Sequence, residues 1–416
     1  MRIEKQSEAA TAGPAPNPAN CGNEDYPCER RVIFFTSLGH AIMHVTELIY
    51  AGILPILLVQ FNLSLAGAGI LVFPSLALLG LGSFPAGLLS DRWDPYKIFL
   101  LFFFGTAVST FLAAMSHTIW QLAAALGALG FCMSLYHPAG LGLISMGVRR
   151  KGLVMGIHGI FGNLGLALSP FLAGLLGARY GWRMAFLAPA GFIFLCGLGL
   201  VFFPIRIAHH EVDAEGRKVK GSIRPEQKRL LVWLYGIMIV TGFVYRGIMT
   251  YLPKFIGDNV PVSWLPAMVA GGLFASLTLI LGALGQIWGG HQSDRTDPFA
   301  IYSRVVPTYA PLLLAAVLFT GYPLVAGLCI FFFFFFAGQP LENTMLAQAT
   351  PLNYRSTGYG VKFGLNMGIG AVAAPVCGWI GDQYGMAWIF YCLALILLAA
   401  TAGVYRMRAI KKQALA

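Results

Sequence analysis

Apolar residues run along this chain in long blocks, the first from Val32 to Val59, separated by short polar connections. A bilayer core about 30 Å thick needs roughly 20 apolar residues per helical span. By that measure the blocks predict about twelve transmembrane helices, an all-α membrane protein with almost all of its length in spans and short connections. The first block carries an interruption, Gly39-His40-Ala41-Ile42-Met43-His44-Val45-Thr46-Glu47-Leu48-Ile49-Tyr50. At about 100° per residue, positions 40, 44 and 47 fall within roughly 60° of one another on one helix face. Ionisable groups inside a bilayer cost about 2.5–3.5 kcal/mol each, so this stripe predicts something polar opposite it.

The polar stretches divide the chain. Residues 1–30 are polar and rich in Pro, Ala and Asn, and read as a disordered tail without the roughly 7–15-residue apolar core of a secretory signal. Residues 205–229 form the longest polar segment after that tail and split the spans into two sets of about six, 31–204 and 230–407. Residues 408–416 are a short polar end.

Composition sharpens this picture. Of the 416 residues 57% are hydrophobic and only 11% charged, whereas a soluble domain carries about 25% charged residues. In a soluble protein the net charge of +11 would suggest nucleic acid, but here its placement decides. Of 28 Lys and Arg, 23 fall in the tails or in connections that share one side when twelve spans are threaded in order. The positive-inside rule then places both termini in the cytoplasm, with the bilayer rather than nucleic acid as the large partner. The remaining five are Arg179, Arg183, Arg246, Lys254 and Lys362. Five of the seven cysteines (Cys132, Cys196, Cys329, Cys377, Cys392) are scattered through apolar spans without ligand spacing. Cys21 and Cys28, in or near the tail, lack the tighter pairing of a zinc site.

The two sets of spans repeat. Gly87-Leu88-Leu89-Ser90-Asp91-Arg92-Trp93-Asp94-Pro95 returns 203 residues later as Gly290-His291-Gln292-Ser293-Asp294-Arg295-Thr296-Asp297-Pro298, with six of nine positions identical. A second echo pairs Gly156, Asn163, Pro170, Gly174, Gly177 and Tyr180-Gly181 with Gly360, Asn366, Pro375, Gly378, Gly381 and Tyr384-Gly385. Such parallel repeats imply two six-helix bundles related by a pseudo-twofold axis along the membrane normal. Asp91 with Arg92, and Asp294 with Arg295, sit at helix ends. There a carboxylate can take exposed backbone N–H groups and a cation can pair with it, making Gly87, Asp91, Arg92, Gly290, Asp294 and Arg295 a candidate conformational latch.

These motifs resemble the major facilitator superfamily over residues 32–407. The stretch from Gly87 to Lys97 is similar to that family's loop between spans 2 and 3, with Asp94 where the pattern has glycine. Tyr136-His137-Pro138-Ala139-Gly140, Arg150-Lys151-Gly152, Gly162-Asn163 with Gly165 and Ser169-Pro170, and Gly39-His40 with Leu54-Pro55 are similar to the fosmidomycin-resistance-type exporters. The resemblance implies a monomeric transporter without cofactor in a bacterial inner membrane. It also implies that spans 1, 4, 7 and 10 line a central cavity flanked by 2, 5, 8 and 11, with 3, 6, 9 and 12 outside.

Every ionisable group embedded in the spans falls in lining or flanking positions: His40, His44 and Glu47 in span 1, His137 in 4, His158 in 5, Arg246 in 7, Glu342 in 10 and Lys362 in 11. All of these except Glu47, together with Tyr50 and Tyr245, are the candidate solute contacts. Glu47 and Arg246 lie at matching depths before Pro55 and Pro253 and are expected to meet. Since Arg stays charged while a carboxylate can switch, Glu47, and next Glu342, are the candidate proton carriers. The run Phe331 to Phe336 reads as a bulky lipid- or core-facing surface with no chemistry of its own.

Three functions compete. The first is a proton-coupled secondary transporter exporting a small anionic or amphipathic solute by alternating access. The second is a divalent transition-metal transporter using His40, His44 and Glu47 with His137 or His158 nearby and Cys21 and Cys28 as a collecting site. The third, a membrane hydrolase or sensor, lacks support: there is no HExxH, no Ser/His/Asp order is suggested and no soluble domain is appended, while the missing Walker sequence speaks against ATP-driven transport.

Overall fold

A computed structural model describes residues 28–205, 225–350 and 355–415; Cys21 and most of the segment between the halves lie outside them. Among the described residues twelve helices are long and apolar enough to cross a membrane. In chain order they are α1 (Glu29–Gln60), α2 (Leu65–Ser90), α3 (Pro95–Ala114), α4 (Ile119–Ile144), α5 (Leu153–Tyr180) and α6 (Trp182–Phe202), then α7 (Gln227–Asn259), α8 (Ala267–Arg295), α9 (Pro298–Val317), α10 (Tyr322–Ala349), α11 (Gly360–Tyr384) and α12 (Met386–Ile410). Among the described residues every regular element is helical. The edges extend beyond the apolar blocks. Residues 29–30 already belong to the first helix, the helix of α7 starts at Pro225, and that of α12 runs to Leu415.

The repeated motifs fold into repeated turns. Asp94 accepts from Tyr96 N at 2.9 Å and Asp297 from Phe299 N at 3.2 Å, each followed by Pro at the first helical position. Both aspartates therefore cap helices, α3 and α9, and the Asp-Pro pair is a helix-start signal that explains Asp94 in place of glycine. One residue joins α5 to α6 and α11 to α12. Gly181 and Gly385 have φ of +87° and +95°, a left-handed conformation that favours glycine.

Proline and glycine break helices where the cavity lies. Pro138 lacks the N–H that would bond Ser134, and α4 is interrupted at Leu135. In α11 the glycine-rich stretch Gly364–Ile369 widens into a π-turn, followed by a tight turn over Gly370–Val372. Large apolar side chains of α6 and α12, among them Phe192, Leu195, Phe202, Leu395 and Leu398, are exposed where lipid would lie.

The halves meet most tightly on the side opposite the termini. There Asp382 at the end of α11 accepts from Leu65 N and Ala66 N at the start of α2, both at 2.8 Å. Tyr251 of α7 donates its hydroxyl to Ala374 O at 2.7 Å and lies 3.0 Å from Leu65 O. Gly272 of α8 lies so close to Pro170 of α5 that a β-carbon would strike the Pro170 carbonyl. Toward the termini, by contrast, a β-carbon on Gly156, Gly159, Gly360 or Gly364 would meet nothing within 4 Å. The two halves are thus in direct contact on the side opposite the termini, while these four glycines face open space.

Candidate functional site

Between the halves lies a cavity of about 260 Å³. From the first half α1 contributes His40, His44 and Glu47, α4 His137, and α5 Gly159, Asn163 and Leu166. From the second half α7 contributes Thr241 and Tyr245, α8 Gln286, α9 Tyr309, α10 Phe335, Phe336, Gln339, Glu342 and Asn343, and α11 Lys362, Phe363, Asn366 and Met367. The stripe on α1 thus faces this space.

Glu47 is the junction. One oxygen, Oε1, accepts from Arg246 Nη1 across the two halves, and the other, Oε2, lies 2.7 Å from His44 Nδ1. Glu47 is 7% and Arg246 1% exposed, so this is a buried ion pair whose separation would leave an uncompensated charge. Arg246 Nε and Nη2 have no hydrogen-bond partner among the described residues.

A second charged group lies on α10 and α11. Tyr302 of α9 donates to Glu342 Oε1 at 2.8 Å, and Lys362 Nζ lies 2.6 Å from Asn343 Oδ1 and 3.5 Å from Glu342 Oε2. Neutral amides join the halves between these charged groups. Asn163 Nδ2 donates to Gln286 Oε1 at 2.6 Å, and Gln286 Nε2 to Gln339 Oε1 at 2.5 Å. The ring of His137 stacks on Phe363 at 5.2 Å, a further link across the halves.

Several expectations need correction. Tyr50 is not at the cavity: its hydroxyl donates to Ala68 O at 2.7 Å and ties α1 to α2. His158 stands behind His40, the rings stacked 4.0 Å apart, and its carbonyl lies 2.8 Å from His40 Nδ1. Arg246 is not a lining residue either; it is buried and bonded to Glu47, which is one. Glu47 is held by Arg246 and His44, which removes it from a metal-ligand set with His40 and His44. Cys28 is buried, its Sγ 3.9 Å from Pro204 O, which leaves no collecting site there, and Cys21 lies outside the described residues. The phenylalanine run is not inert, since Phe335 and Phe336 form cavity wall. Nor is α9 wholly outside, as Tyr302 and Tyr309 reach inward. Of the latch residues, Asp294 and Arg295 are exposed at the end of α8 and Gly290 is half-buried. The backbone of α2 runs through Gly87, and the side chains of Asp91 and Arg92 lie outside the described part.

The missed lining residues are chiefly Asn163, Gln286, Gln339 and Asn343. Their signal was a neutral amide inside an apolar span, which charge counting passes over.

Comparison with known proteins accords with this architecture. The family model of the Major Facilitator Superfamily matches residues 36–375, and the chain belongs to that superfamily. It is an integral membrane transporter, not an enzyme. The chain is 29% identical over 349 residues to the multidrug resistance protein MdtG of Salmonella typhimurium, covering 79% of this chain and 82% of that protein. It is equally similar to MdtG of Salmonella typhi. Among solved structures, a bacterial homologue of the human lysosomal transporter Spinster, inward-facing and occupied, superposes with a TM-score of 0.80 at 16% identity, over 93% of this chain and 98% of that one. A point mutant of the nucleoside transporter NupG gives 0.70 at 14% identity, over 91% and 99%. At these identities the structural matches carry the fold alone.

Proposed function

We propose that the protein is a proton-coupled exporter of a small anionic or amphipathic solute, working as a monomer by alternating access in a bacterial inner membrane with both termini in the cytoplasm. The observation that carries this reading is the Glu47–Arg246 pair, which joins the two halves at the cavity wall. A proton arriving at Glu47 cancels the charge that Arg246 holds, loosens a contact between the halves, and thereby links protonation to their rocking. Glu342 is the second candidate carrier. For the solute, Lys362 and the cavity histidines supply cationic or hydrogen-bonding groups, while Tyr245, Phe335, Phe336 and Phe363 supply an aromatic wall. Outward direction is favoured by the similarity to proteins named for multidrug resistance and by the exporter-like motifs around His137 and Asn163. The spread of the halves toward the termini offers the cavity to the side with the excess of Lys and Arg.

Paired flux in proteoliposomes tests this reading. Glu47→Gln carries no releasable proton, so accumulation driven by a pH gradient should vanish while exchange of solute between two loaded compartments persists. If Glu47→Gln retains full proton-driven accumulation, Glu47 is not the carrier, and the same measurement passes to Glu342→Gln.

A further inference from the structure

We infer that His40, His44 and His137 form a binding site for a divalent first-row transition-metal ion in the cavity wall. One ring nitrogen from each of the three lies within 4.8 Å of the others. A tetrahedral ion with metal–nitrogen bonds of about 2.1 Å needs about 3.4 Å between ligand atoms, so the rings must close by on the order of 1 Å.

Two of the three imidazoles are already oriented as metal ligands are. His40 Nδ1 is engaged by the His158 carbonyl at 2.8 Å and His44 Nδ1 by Glu47 Oε2 at 2.7 Å. A donor Nδ1–H on each leaves Nε2 with its lone pair free, and a carbonyl or carboxylate behind a ligating histidine fixes the tautomer and raises its basicity. The third observation is independent. His137 Nε2 is buried and has no hydrogen-bond partner among the described residues, a costly state for a polar atom that a metal ion would relieve. Neutral imidazoles suit zinc, nickel, copper and iron, and three of them leave a fourth position open to the cavity for water or a solute group. Glu47 enters as the outer partner of His44, so the ligand set is three nitrogens and no carboxylate.

This inference goes beyond the transport reading, which requires a solute and a proton but no metal, and its test uses no flux. Tag-free protein is titrated with zinc chloride and with cobalt chloride by calorimetry. The background is Cys21→Ser, Cys28→Ser, His209→Ala and His210→Ala, which removes the cysteines and the histidine pair of the polar segments outside the spans. One ion per chain should bind. His44→Ala and His137→Ala should each weaken binding by about 100-fold or more, and Glu47→Gln, as an outer-partner change, by about 10–100-fold. X-ray absorption of the unsubstituted ligand set in its zinc complex should show three imidazole nitrogens at about 2.0–2.1 Å, a result that needs no variant to fold. The inference is overturned by absence of binding, by His137→Ala binding within about threefold of its parent, or by a coordination shell with sulfur or a single imidazole.

Discussion

Arg246 on α7 and Glu47 on α1, 199 residues apart in the chain, form a buried ion pair that connects the two halves at the wall of the cavity. Removing one partner of such a pair costs about 3–5 kcal/mol, whereas replacing both by apolar or neutral groups of similar volume is close to neutral. Because Arg246 is buried and is not among the cavity-lining residues, its loss acts first on stability.

Arg246→Ala is therefore expected to lower the apparent melting temperature of the purified protein markedly, and the double variant Glu47→Gln with Arg246→Met to recover most of it. Thermal unfolding in one detergent, followed by intrinsic fluorescence, compares the three proteins. A melting temperature for Arg246→Ala equal to that of the parent would show that the pair contributes nothing to stability.

Solute affinity should depend on the amide chain and not on Tyr50. Gln286 links Asn163 to Gln339 at the cavity, and Gln286→Leu deletes hydrogen bonds worth about 0.5–1.5 kcal/mol each. The apparent KM for transport should rise by about two- to tenfold. Tyr50→Phe, which removes only the bond to Ala68 O, should leave KM unchanged while lowering thermal stability by about 1 kcal/mol. A KM shifted more by Tyr50→Phe than by Gln286→Leu would reverse this assignment of the wall.

The spans, the repeat and the α1 stripe were legible because each is local: block length, motif spacing and a 100° angular step need no knowledge of what packs where. The Asp-Pro caps of α3 and α9 and the single-glycine turns at Gly181 and Gly385 belong to the same class, since the turn chemistry lies within a few residues. What escaped was non-local. Matching depth brought Glu47 and Arg246 together correctly, but depth alone does not say which of them faces the cavity. Whether His137 or His158 joins His40 and His44 depends on the break in α4 at Leu135, just before Pro138, and the inward reach of Tyr302 and Tyr309 on the tight turn Val306–Thr308 within α9. Tyr50 was misplaced for a related reason. Three residues from Glu47 it shares much of that helix face, but it lies about one turn further along, beside Ala68 at the start of α2.

The Asp-Arg pairs at the ends of α2 and α8 are expected to govern rate. Asp91→Asn and Asp294→Asn should reduce turnover of the transporter while leaving equilibrium solute affinity unchanged, since Asp294 is exposed at the end of α8 and is not among the residues that line the cavity, and Asp91 occupies the repeated position in the first half. Flux and binding measured on the same preparation separate the two quantities. Unchanged turnover together with altered affinity would count against a latch.

The last expectation concerns the closed side. Asp382 of α11 receives two backbone N–H groups from the first turn of α2, so one carboxylate caps a helix that belongs to the other half. A carboxylate at a helix N-terminus satisfies donors that have no partner within the helix and opposes the positive end of its dipole. Losing a capping side chain costs about 1 kcal/mol, and here that cost falls only on the conformation in which α2 and α11 meet. Asp382→Ala should therefore shift the balance between the two conformations about fivefold toward the one open on the side opposite the termini. A single cysteine placed at Gly360, where the halves are spread, reports the shift in an otherwise cysteine-free protein. Its labelling by an impermeant maleimide applied from the termini side should slow in Asp382→Ala, and Asp382→Asn, which keeps an accepting oxygen but not the charge, should fall between. If all three proteins label at the same rate, the Asp382 cap does not hold the closed side shut.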